Sequence, residues 1–151
     1  MKNRKIFTLS VLLLFLLSIT QNFAQETPYN SGTVWSLSFI RTGANVADDY
    51  LKGIKNTWEA SMKEAMKEGL IKSYKILLGE AVNKEDYNVI LMIEFENMAA
   101  LDPDPVRDKK WEAIEQNIKD KMKDEYQKTV QNYEIIRQWF GAKLMREIYL
   151  K

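Results

Sequence analysis

Hydrophobic and polar positions alternate with period two over residues 33–41, TVWSLSFIR, as they do in a half-buried strand. Trp35, Leu37 and Phe39 fall on one face, and Val34, Ser36, Ser38 and Ile40 on the other. The period then changes. Leu51, Ile54, Trp58, Met62, Ala65 and Met66 recur at helical spacing, opposite Lys52, Lys55, Glu59, Lys63 and Glu64. Asn45 and Asp48 ahead of this run have the spacing of a capping box, and Gly69 is a natural helix end. The Trp and Met stripe reads as core packing before it reads as a ligand groove.

Two further strands follow, LIKSYKILL (70–78) and YNVILMIEF (87–95), joined by GEAVNKED, a loop short enough for an antiparallel hairpin. Tyr74, Ile76 and Leu78 oppose Ser73, Lys75 and Leu77. Val89, Leu91, Ile93 and Phe95 oppose Ile90, Met92 and Glu94. Asp104-Pro105 is a helix start, with the acid as cap and the proline at the first helical position. The spacing then predicts helix from Trp111 through Ile114, Ile118, Met122, Tyr126, Val130, Tyr133 and Ile136 to Phe140. Unbroken, it would reach roughly 50 Å, longer than the strands it must cover, so a break is expected at 127–132. AKLMREIYLK (142–151) reads as a closing strand, with Leu144, Ile148 and Leu150 on one face and Met145, Glu147 and Tyr149 on the other.

The order β-α-β-β-α-β predicts an α+β, ferredoxin-like domain over 33–151: a four-stranded antiparallel sheet with two helices on one face. Helices can cover only one side. The most apolar faces, including Trp35, Leu37 and Phe39, are expected beneath them. The open face would then collect Val34, Ser36, Ser38, Ile40, Ser73, Lys75, Leu77, Ile90, Met92, Glu94, Met145, Glu147 and Tyr149. That mixture is too apolar for a free surface and too polar for an ordinary core.

In this element order, in the strands TVWSLSFIR and YNVILMIEF and in the closing REIYL, the chain resembles the dimeric α+β barrel superfamily. That superfamily includes antibiotic-biosynthesis monooxygenases and stress-responsive A/B barrel proteins. The resemblance implies a homodimer whose open sheet faces meet and enclose a ligand cavity. It carries over no catalytic residue.

Composition narrows the chemistry. Residues 1–24 combine Lys2, Arg4 and Lys5 with the apolar run VLLLFLLSI and Ala24, the three parts of a secretory signal. Asn22 is not the small residue expected three positions before a cut after Ala24. The apolar run is too short for a stable membrane span, so an exported protein, periplasmic or secreted, with no anchor after cleavage is expected. Residues 25–32, QETPYNSG, read as a flexible leader. Cysteine is absent, so neither a lipidated cysteine nor a disulfide is available. Histidine is absent too. This excludes Ser-His-Asp and Cys-His catalysis and argues against a zinc site or a His-ligated haem. No metal or cofactor is expected. Taking the signal's three cations from 22 leaves 19 against 21 acids, a net charge of −2, with no electrostatic pull on nucleic acid. The acids of LDPDPVRD lack the spacing and central glycine of a calcium loop and read as helix caps.

Glu94, between Ile93 and Phe95, is the position that asks for explanation. A carboxylate on a covered face must be paired, hydrated or protonated. A pair with Lys75 is one reading. The other makes it the polar end of a mostly apolar pocket formed with Ser36, Ser38, Lys75, Met92, Glu147 and Tyr149. The resulting expectation is a binding or accessory protein for a small, partly apolar ligand. The alternatives are a cofactor-independent oxygenase or isomerase, whose base would be a carboxylate raised towards neutrality by burial, and a purely structural dimer.

Overall fold

A computed structural model describes residues 26–151; the expected signal sequence lies outside the described residues. The chain forms β1 (Tyr29–Thr42), α1 (Ala47–Ile54), a π-helical stretch (Lys55–Glu59) and α2 (Ala60–Lys67), followed by β2 (Ser73–Leu78) and β3 (Val89–Phe95). A short turn of 3-10 helix (Met98–Leu101) leads into α3 (Pro105–Met122), α4 (Asp124–Ile136) and β4 (Arg137–Leu150). The sheet order is β2-β3-β1-β4, antiparallel throughout. This is the ferredoxin-like α+β arrangement that the element order predicts.

The ends of several elements differ from expectation, each for a local reason. β1 starts at Tyr29, within the expected leader, because Tyr29, Asn30 and Ser31 pair with Leu150, Tyr149 and Ile148 of a long β4. Asn45 does not cap α1. It takes a left-handed conformation (φ 64°) in the preceding turn, and no side chain caps the helix. Asp104 does cap α3, accepting from the backbone N–H groups of Val106 and Arg107. The second helical run breaks at Lys123 (φ 51°), ahead of the expected 127–132. It also stops at Ile136 and not Phe140, since β-branched and aromatic residues from Ile135 to Phe140 suit an extended edge strand.

The face of β1 is reversed from the sequence expectation. Val34, Ser36, Ser38 and Ile40 stand directly opposite Phe95, Ile93, Leu91 and Val89 in the ladder. Opposed residues of antiparallel strands share a face, so these four lie beneath the helices, with Val34 and Ile40 buried. Trp35, Leu37 and Phe39 therefore join Glu94, Met92 and Ile90 on the uncovered side. Both faces of β1 are apolar, and strand pairing, not side-chain size, chose between them. β2 and β3 keep the faces that alternation predicts.

The core lies between sheet and helices as two clusters. Ile40, Tyr50, Ile54, Val89, Leu91 and Tyr133 form one. Met62, Ala65, Leu70, Ile71, Phe95 and Ile114 form the other, with Trp58 bridging the two. Burying each large apolar side chain contributes about 1.5–3 kcal/mol. The π-helical stretch falls where hydroxyls compete for helix carbonyls: Thr57 donates to the carbonyl of Gly53 and Ser61 to that of Thr57.

Candidate functional site

The uncovered sheet face has a layered order along the strands. One register row carries Ser73, Glu94, Trp35 and Met145. The next carries Lys75, Met92, Leu37 and Lys143, and the third Leu77, Ile90, Phe39 and Gly141. Beyond the first row lie Thr33, Glu147 and Tyr149. Acids thus gather at one end, lysines in the middle and apolar groups at the other end.

Each charged side chain on this face engages a neighbour. The Ser73 hydroxyl donates to Glu94 at 2.5 Å and the Thr33 hydroxyl donates to Glu147 at 3.1 Å. The bond from Ser73 holds the Glu94 carboxyl below its ordinary range, outweighing burial, with Thr33, Lys72 and Lys75 acting in the same direction. A base raised towards neutrality, as the enzymatic alternative requires, is therefore not what the geometry makes of Glu94. Nor does Lys75 pair with it. The Lys75 ammonium sits over the Trp35 ring, 4.8 Å from its centroid, and the Lys143 ammonium over Phe39 at 5.8 Å. The charge of Glu147 raises the Tyr149 phenol.

Of the residues expected on this face, Lys75, Met92, Glu94, Glu147 and Tyr149 are there together. Ser36 and Ser38 are not, because the β1 register turns them to the helix side. Leu77, Met145 and Tyr149 remain 48%, 55% and 55% exposed, so apolar surface is left uncovered here.

A second feature lies on the other side of the sheet. Between the π-helical stretch, α3, α4 and the start of β4 is a cleft of about 410 Å³. Its apolar walls come from Trp58, Met62, Leu91, Trp111, Ile118 and Val130. Thr57, Tyr133 and Arg137 supply polar groups. The Tyr133 hydroxyl lies 2.7 Å from that of Thr57; since Thr57 donates to Gly53, Tyr133 is the donor between them. Arg137 donates to the Tyr50 hydroxyl at 3.2 Å, and its guanidinium faces the rings of Tyr133 (4.9 Å) and Tyr50 (5.7 Å). Burial raises both phenols above their ordinary value, against the pull of Arg137, so both stay neutral at physiological pH.

α4 reaches this position because Gly53 lets it. A Cβ at Gly53 would lie 2.9 Å from Cε1 and 3.0 Å from the hydroxyl of Tyr133. The Tyr133 ring rests on the bare backbone of α1. Sequence pattern names neither Thr57 nor Arg137, and places Tyr133 only as one apolar position of the second helical run. Arg137 was hidden because the helical period ran on to Phe140; the β-prone stretch IIRQWF was the available signal.

No protein-family model and no curated protein matches the chain. Among solved structures it is similar to HapK from Hahella chejuensis (13% identity over 76% of this chain and 91% of that one, TM-score 0.43). It is also similar to a nipsnap family protein of unknown function from Agrobacterium tumefaciens (8% identity, 80% and 90% covered, TM-score 0.42). A third is a dimeric ferredoxin-like protein from an uncultured marine organism (15% identity, 81% and 90% covered, TM-score 0.39). Likeness of this degree concerns the path of the chain and transfers no residue's role.

Proposed function

We propose that the protein is an exported homodimer that binds a small, partly apolar molecule, with the open sheet face as its subunit seam and the helix-side cleft as its ligand site. Export rests on the basic and apolar pattern of residues 1–24. The observation that carries the binding reading is the cleft itself, an apolar space with a few polar groups converging on it. Its volume of about 410 Å³ falls within the range of about 300–1,000 Å³ common to small-molecule pockets.

The seam reading is supported by the face's own composition. Exposed Leu77, Met145 and Tyr149 lie among two acids and two lysines arranged in separate rows, so an inverted copy can set opposite charges against each other. Four strands at about 4.8 Å and seven residues at about 3.4 Å give a face of roughly 450 Å² in projection. Pleating and side chains enlarge that towards the roughly 800 Å² each partner gives to a stable interface. Lys75, Met92, Glu94, Glu147 and Tyr149 would then meet the second copy, and any ligand enclosed between the sheets would rest on these same side chains.

Native mass spectrometry of the purified protein tests both parts. A dimer is expected, with a small additional mass where ligand is retained. A monomer at micromolar concentration overturns the seam.

A further inference from the structure

Resting on the reading of the cleft as a ligand site, we propose that its ligand is a monocarboxylic acid with an apolar, ring-sized body, the carboxylate bound by Arg137. The reason is an imbalance in the cleft. A guanidinium has five N–H donors in a planar fork, and Arg137 gives one of them to the Tyr50 hydroxyl. Among the described residues no carboxylate lies within 4.0 Å of it. The remaining donors have no protein partner and are not sealed from solvent, so they are open to a ligand, while the guanidinium rests over the Tyr133 and Tyr50 rings. A guanidinium that lines an apolar cleft with free donors and no counter-ion can take an anion, and a bidentate carboxylate is the group its geometry matches.

The other lining residues narrow the choice. The acid among them, Glu115, is exposed at the rim and is held by Lys119 at 2.7 Å. Arg137 is the single cation lining the cleft. One positive charge suits a monoanion; a phosphate dianion usually meets more cations or a cradle of backbone N–H groups. Trp58, Trp111 and Tyr126 on the walls favour a flat, apolar body that can stack or meet them edge-on. The Tyr133 hydroxyl, which donates to Thr57, keeps its acceptor side for a neutral donor on the ligand.

The test is calorimetric titration of the whole protein with naphthoate and with its uncharged counterpart naphthalenemethanol. Naphthoate is expected to saturate the protein and to bind at least tenfold more tightly than the alcohol. In Arg137→Gln that preference should disappear, naphthoate losing at least tenfold more affinity than the alcohol, and Arg137→Lys should restore part of it. Equal affinity of the two probes for the native protein would overturn the carboxylate assignment while leaving the cleft as an apolar pocket. Binding of neither probe would overturn the pocket reading together with the inference. The probe pair on the native protein decides the matter even if the Arg137 variants fold poorly.

Discussion

The two faces of the sheet solve opposite problems with similar materials. On the open side, each charged group has an internal partner: Ser73 for Glu94, Thr33 for Glu147, the Trp35 ring for Lys75 and the Phe39 ring for Lys143. What this side lacks is cover for its apolar groups. On the helix side the apolar groups are covered, yet the Arg137 guanidinium has neighbours without a counter-charge. A face with satisfied charges and bare apolar surface suits a second protein copy. A cleft whose one cation has no counter-charge suits a small anion. The difference shows that unmet demand, more than polarity itself, points to the kind of partner a surface takes.

The largest effect should come from putting an unpaired charge on the open face. Leu37→Glu leaves the core untouched, since Leu37 lies on the uncovered side, but would bury an acid between two sheets. Dimer dissociation should rise a hundredfold or more, about 3 kcal/mol, read by light scattering across a dilution series. An unchanged dimer would place the seam elsewhere.

The helix-side cleft is broken separately. In Gly53→Val, the new side chain meets the Tyr133 ring, against which even a Cβ comes within 2.9 Å. Overpacking of this sort costs about 2 kcal/mol, measurable as a lower denaturant midpoint, and α4 must move off α1. A smaller change sharpens the same point. Tyr133→Phe removes the hydrogen bond to Thr57 and should cost about 1 kcal/mol, with the dimer unaffected.

The smallest expected effect is the pH dependence of Glu94. Its folded value is lowered, first by the Ser73 hydroxyl. A depressed carboxyl gives the unfolded chain the greater hold on the proton, so its contribution is complete above the ordinary value of 4.5 and is lost as pH falls through the folded value. Glu94→Gln should therefore be less stable than the native protein at pH 7, and the gap should close in acid. A gap that persists with the same size in acid would mean that the charge on Glu94 contributes nothing.

Much of this molecule is legible in local pattern. Period-two and helical spacing determined the order of elements, and with it the ferredoxin-like fold, because each element must show one apolar side to a shared core. Asp104-Pro105 wrote its own cap. Alternation also set the faces of Ser73, Lys75 and Glu94, since in β2 and β3 one side is plainly the more apolar. In β1 both sides are apolar, so the side that met the helices depended on the ladder partners Val89 to Phe95, which lie 49 to 61 residues away in the chain. The break at Lys123 and the start of β4 at Arg137 were likewise outside local reach. A helical period running through Tyr133 and Ile136 does not say where the chain must turn to lay a ring on Gly53. The sequence alone determined which elements form and in what order. Tertiary structure decided which side of β1 faces inward and which cation stands in the cleft, because both depend on contacts between distant segments.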